Sequence, residues 1–272
     1  MILTHGANSL DRVGDNTLRF EFSKTDYDPI AAVVGSSGRW KKLKSGSKNV
    51  WDWTRSGTTF YLSFENAFLD NDNLVSIIAA GNTSKVTNMS FMFRGCTSLT
   101  SVPLFDTSNV TDFGSMFRGC TSLASVPLFD TSKVTNMNDC FNGCTSLASV
   151  PLFDTSNVTS MNGTFNNCSS LTSVPLFDTS KVTNMSFMLR GCTSLASVHL
   201  FDTSKVTNIG SMLNGCTNVE SGSLALFQQA STQANPPSTH TDCFKNCGRD
   251  TVTGAAELAQ IPQSWGGTMP EL

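Results

Sequence analysis

The residues with the greatest chemical capacity recur at a fixed interval. Six of the nine cysteines fall at Cys96, Cys120, Cys144, Cys168, Cys192 and Cys216, each 24 residues from the last. Two further cysteines, Cys140 and Cys243, lie four residues before Cys144 and Cys247, a spacing that zinc pairs also use. The column of Cys140 holds Met92, Met116, Thr164, Met188 and Met212 in the other units, which points to packing. We therefore expect buried structural thiols, and neither disulfides nor a metal centre. The carboxylates Asp106, Asp130, Asp154, Asp178 and Asp202 form a second ladder. Clustered oxygens suit Ca²⁺, but Asp within an Asp-Thr-Ser turn more commonly accepts nearby backbone amides, and turn capping is the expectation.

Catalysis finds little support. The three histidines, His5, His199 and His240, have no singular acid or nucleophile beside them in sequence. No P-loop, G-x-S-x-G or H-E-x-x-H motif occurs. The expectation is a protein that is not an enzyme and needs no cofactor.

Those residues must be positioned by repeated elements. The flanks of the cysteines repeat with them, as CTSLASVPLFDTSKVTNM, and a period of 24 is in the leucine-rich-repeat range. The pattern Leu99, Val102, Leu104 alternates like a short strand with one buried face. Pro103 interrupts it and lacks a ladder donor, so the strand must be very short. A second stripe, Met89, Met92, Phe93 and Cys96, has the spacing of a helical turn with an apolar inner side. Gly95 and its equivalents suit the end of that turn. Val110 follows the Asp-Thr-Ser turn and is expected inward, in a second extended piece. No unit can bury its apolar side alone, so the units must stack. The expected fold is a leucine-rich-repeat solenoid (α/β, short parallel strands with short helical turns) of about eight coils of 24 residues, with a small β-rich N-terminal module.

The composition agrees. Charged residues are 14% of the 272, against about 25% in a typical soluble domain. The abundant types are those in the repeated columns, with Phe 19, Met 10 and Cys 9. A net charge of -3 argues against a general nucleic-acid binder. No run of about 18 apolar residues and no signal peptide is visible, so no membrane insertion is expected.

The expected organisation is an N-terminal β-rich module at 1–63, the solenoid at 64–247 and a C-terminal cap at 248–272. Phe64, Ala67, Phe68 and Asn71 fit the helical stripe of a degenerate first coil, with Leu74 and Ile77 in its strand columns. The last coil is seven residues longer than the period, and the extra residues are expected in the polar loop Ala230–Pro237. Strand alternation turns Phe105, Phe129, Phe153, Phe177 and Phe201 outward with Pro103, Pro127, Pro151 and Pro175, forming a ligand-binding strip. A bend at the Asp turn would instead place those rings in the core. Trp40, Trp51 and Trp53, among several lysines, are candidates for docking to an assembly.

The coil L-x-x-V-x-L, followed by D-T-S-x-V-T-x-M-x-x-M-F-x-x-C, resembles the BspA-like leucine-rich-repeat surface proteins over residues 64–247. That resemblance implies adhesion and the binding of a protein or surface glycan. The opening HGANSL is weakly similar to the starts of some phage and prophage structural proteins. The functional expectation is a non-enzymatic recognition protein on a virion or bacterial cell surface, anchored through its N-terminal module. The alternative is a purely structural capsid, tail or fibre decoration.

Overall fold

The computed structural model describes the backbone of residues 17–22, 38–42, 49–55, 62–63, 74–80, 83 and 86–270, with side chains for 83 and 86–270. Four strands near the N-terminus form one antiparallel sheet: β1 (Thr17–Phe22), β2 (Gly38–Lys42), β3 (Asn49–Arg55) and β5 (Leu74–Ala80), in the order β2-β3-β1-β5. Leu74 and Ile77, expected in the strand columns of a coil, instead sit in β5 and pair with Phe22 and Phe20 of β1. The rest of that expected coil, Phe64 to Asn71, lies outside the described residues.

A second set of pairings stacks the backbone at intervals of about one repeat. β4 (Leu62–Ser63) pairs in parallel with β6 (Val86–Asn88), and Leu62 opposes Val86. Single parallel bridges continue the column through Asn88, Asp112, Asn136, Ser160, Asn184, Asn208 and Thr239. The Thr111 N–H donates to the Thr87 carbonyl at 2.8 Å, and Thr135, Thr159, Thr183 and Thr207 repeat that bond one coil further each time. The parallel ladder therefore sits on the Val-Thr-x piece rather than on Leu-x-x-Val-x-Leu. Pro103 is the reason, because its ring fixes φ and removes a donor from the column where a ladder was expected.

Proline also resets the side-chain phase. Val102 is buried, Leu104 is 64% exposed and Phe105 is 2% exposed. Inward positions are three residues apart, as in a polyproline-like segment, instead of two as in a strand. In two coils an inverse γ-turn completes the bend, with Phe153 N–H donating to Pro151 O and Phe201 N–H to His199 O, both at 3.0 Å. The outward aromatic strip is thereby corrected: Phe105, Phe129, Phe153, Phe177 and Phe201 are all core residues. The rings of Phe105, Phe129 and Phe153 form one stack, and Phe93, Phe117, Phe141 and Phe165 form another beside it. Contacts such as Phe141 to Phe153, 6.2 Å between centroids, join the two.

The helical stripe is buried as expected, but it is not helical. Met89, Met92, Phe93 and Cys96 are fully buried on a run of turns. Met92, Arg94 and Cys96 donate to carbonyls three residues back, while Met89, Phe91, Phe93 and Gly95 donate to Asp112, Gly114, Met116 and Arg118 of the next coil. This alternation needs left-handed residues. Phe91 has φ 57° and Gly95 φ 73°, and the equivalents in later coils are also positive. Each left-handed residue turns its neighbours' N–H groups out of a helical ladder and towards the adjoining coil. At Gly143 (φ 77°) an added Cβ would meet nothing closer than 3.6 Å, so glycine is favoured there by conformation and not by space, and Asn167 takes the same place with φ 59°.

The far end is closed by α1 (Ser223–Thr232), α2 (Val252–Leu258) and a 3-10 turn at Gln263–Trp265. The inserted residues of the long coil thus form a helix, where a polar loop from Ala230 was expected. In the inner coils a buried threonine hydroxyl donates to an aspartate carbonyl of the next coil, as Thr179 does to Asp202 at 2.9 Å. Thr203 donates instead to Oε1 of Gln233, whose Nε2 donates to the Thr203 carbonyl. Gln229 Nε2 donates to the Phe201 carbonyl at 2.6 Å. Two glutamine side chains thus stand where the turn of a further coil would lie. α1 begins at Gly222, which has no side chain to cap it; Glu257 accepts instead from Ser223 Oγ at 2.6 Å and Leu224 N–H at 3.0 Å. Burial opposes ionisation of Glu257, yet these donors hold its carboxyl below the usual range.

The one-residue phase change has a direct test. Phe153→Ala should destabilise the chain by roughly 3–5 kcal/mol, whereas Leu152→Ala beside it should cost less than about 0.5 kcal/mol. Thermal or denaturant melts read both. Equal losses, or a larger loss at Leu152, would contradict the observed register.

Candidate functional site

The thiol ladder is explained by packing and hydrogen bonding. All nine cysteines are buried thiols, none of them in a disulfide. Cys120 Sγ donates to the Phe93 carbonyl of the preceding coil at 3.0 Å, a carbonyl that already accepts the Cys96 N–H. Cys144, Cys168, Cys192 and Cys216 repeat the contact at 2.9–3.1 Å. Thr164, in the Cys140 column, donates to Met137 O and Met161 O in a comparable way. Cysteine suits this place as a small apolar group with one weak donor. Among the described residues no three His, Cys, Asp or Glu side chains converge on a common point.

The aspartate ladder caps turns. Asp130 Oδ1 accepts Ser132 Oγ at 2.7 Å and Ser132 N–H at 3.0 Å, and Asp106 and Asp154 repeat the pair. These bonds from Ser132 hold the exposed Asp130 carboxyl below its usual range, and those from Ser156 do the same for Asp154. Lys133 and Lys181 reach Asn109 and Asn157 of the preceding coil.

His199 and His240 are far from one another in use. His199 occupies the proline column, edge-on to Phe201 at 6.2 Å. His240 lies flat on Trp265 at 4.2 Å in the C-terminal cap, with Nδ1 3.3 Å from the Ser264 carbonyl. Trp40, Trp51 and Trp53 belong to β2 and β3, where Trp40 opposes Trp53 in the backbone register; their side chains lie outside the described residues.

The feature missed from sequence is an aliphatic ridge. Leu104, Leu128, Leu152, Leu176 and Leu200 are 64%, 60%, 62%, 56% and 54% exposed. Pro103, Pro127, Pro151 and Pro175 are half-buried beside them. The signal was present as an identical Leu in every unit, but alternation assigned it to the core. The neighbouring outward columns are small or polar: Ala124 and Ser125 on one flank, Asp130 on the other. Five stacked leucines on a surface exceed the scattered single apolar residues that need no explanation.

The comparisons with known proteins fall on this repeated region. Residues 62–149 and 124–225 match the family described as "Mycoplasma protein of unknown function, DUF285". The chain belongs to this family. The matched span starts where the DUF285 chain begins its parallel stacking, at Leu62, and ends within α1. No curated protein and no solved structure matches the chain. Among the described residues no helix is long and apolar enough to cross a membrane.

Burial sets the pH response of this DUF285 core. It raises the thiols of Cys168 and Cys216 to about 12 and moves six more well above the ordinary 9.0. Folded thiols therefore stay protonated where unfolded thiols ionise. Stability should be intact below about pH 9 and fall as pH rises from there to about 12. The slope is roughly 1.4 kcal/mol per pH unit for each thiol that ionises only on unfolding. Circular dichroism should show cooperative alkaline unfolding near pH 10, and a thiol reagent should react only after denaturation. Unchanged stability to pH 11, or rapid native labelling, would contradict a buried ladder.

Proposed function

We propose that this chain is a non-enzymatic recognition protein whose coil stack is a leucine-rich-repeat-type solenoid of the BspA-like kind, displayed on a bacterial or virion surface. The observation that carries the reading is the Leu104–Leu200 ridge. It is the one repeated large apolar column turned to solvent among the described coils, while the thiols and threonines of other columns hold coils together and the aspartates cap their own turns. An aliphatic ridge with proline beside it fits a protein partner better than a glycan, because the aromatic rings that would stack on a sugar are inside. Residues 1–63, with Trp40, Trp51 and Trp53, supply the attachment to a larger assembly in this reading.

A purely structural decoration of a capsid, tail or fibre is the second reading, supported by the same uninterrupted stacking. The two part on whether the ridge has a separate ligand or only fixed neighbours.

Antibodies against residues 86–247 should label intact cells or purified particles without permeabilisation. Deleting residues 1–63 should abolish that labelling while the released fragment still melts cooperatively. Signal seen only after lysis would overturn the surface assignment, and retained attachment would remove the N-terminal role. Co-purification at fixed stoichiometry with capsid or tail proteins, insensitive to ridge substitutions, would favour the structural reading.

A further inference from the structure

The ridge has properties that narrow its partner. Its five leucines are identical, and they recur once per coil, at roughly 4.8 Å, over a length of roughly 20 Å. No charged side chain interrupts the Pro-Leu columns between Pro103 and Leu200. The exposed leucines and half-buried flanking prolines present on the order of 600 Å² of apolar surface, at the upper end of what a monomer leaves uncovered. Pairing two such faces would bury on the order of 1,200 Å², the lower limit of a specific protein interface.

Periodicity decides between occupants. A partner with an irregular apolar surface could seat one or two leucines of a ridge spaced at the coil interval. A surface whose own knobs repeat at that interval can interdigitate along the full length. The ridge of another copy meets this condition by construction, and a self-complementary patch is what a twofold homodimer requires.

We propose that the Leu104–Leu200 ridge is a self-association face, occupied by the same ridge of a second copy of this chain. The inference rests on the reading of the ridge as a protein contact and names the partner. Both copies carry a net charge of -3, so added salt reduces their mutual repulsion and strengthens apolar association.

Sedimentation equilibrium of the full chain provides the test. The expected result is a monomer–dimer equilibrium with a dissociation constant on the order of 10 µM, as suits an interface of this small size. It should tighten between low and high salt. The double variant L128K/L152K should weaken dimerisation by at least about tenfold with little change in melting temperature. Should that variant fold poorly, L128S/L152S serves the same comparison. A chain that stays monomeric to about 1 mM, or ridge variants that dimerise like the parent, would overturn the proposal. If the parent is monomeric while intact cells or particles still bind it through the ridge, the second-copy assignment falls and the protein-contact reading stands.

Discussion

Each coil depends on its neighbour for both halves of its stability. Its backbone donors at Met89, Phe91, Phe93 and Gly95 end on carbonyls of the next coil, and its apolar columns have no facing layer of their own. A residue inside one coil must therefore meet its own equivalents above and below. That constraint explains the near-identity of the units better than any requirement of chemistry. A phenylalanine ring stacks well on another phenylalanine ring, as Phe141 does on Phe165 at 5.6 Å and 1° between planes. A cysteine thiol fits where the preceding coil offers a carbonyl at hydrogen-bonding distance. Changing one column in one unit disturbs two interfaces at once.

The same dependence makes the ends special. An inner coil satisfies its neighbour with backbone, but the Asp202-Thr203-Ser204 turn has no equivalent turn after it. The buried Thr203 hydroxyl would be left without the acceptor its equivalents have, at a cost of about 1–3 kcal/mol. Gln229 and Gln233 carry an amide donor and an acceptor on flexible stems, and α1 holds the first of them over the open end. The helix is anchored in turn by Glu257 of α2, and Trp265 packs against Phe227 and Phe244 to cover the apolar side. The C-terminal segment is therefore a substitute coil built from side chains.

What was legible in the sequence follows from which forces are periodic. The buried stripe Met89, Met92, Phe93, Cys96 was readable because burial repeats with the unit. The Asp-Thr-Ser turns were readable because an aspartate two residues before a serine amide has one favoured local use. The conformation of the stripe was hidden, since spacings of three and four residues suit both a helix and a run of turns. Only the left-handed residues separate them, and Phe91 or Ser115 gives no warning of φ near 57°. The phase of Val-Pro-Leu-Phe was misread for a related reason: alternation assumes strand geometry, and proline abolishes it at the position where it was applied. Helix α1 was missed because its residues SLALFQQAST follow no repeat and look polar toward the end.

The left-handed column also shows where the surface can diverge. Through the coils it reads Phe91, Ser115, Asp139, Gly163, Phe187, Ser211 and Asp242, from a large ring to no side chain at all. A non-glycine residue there costs roughly 1–2 kcal/mol, so glycine in every coil would be more favourable locally. Six coils forgo it. Two of them hold a phenylalanine beneath an arginine, with Arg94 5.9 Å above Phe91 and Arg190 5.7 Å above Phe187. Asp139 instead meets Arg118 of the preceding coil at 3.3 Å. Cross-coil bonds on both sides fix the backbone whatever the side chain, so the strain is tolerated by the stack and not by the residue. The scaffold thereby separates two surfaces: a constant aliphatic ridge set by the repeat, and a variable ribbon on which each coil can differ without loss of the fold.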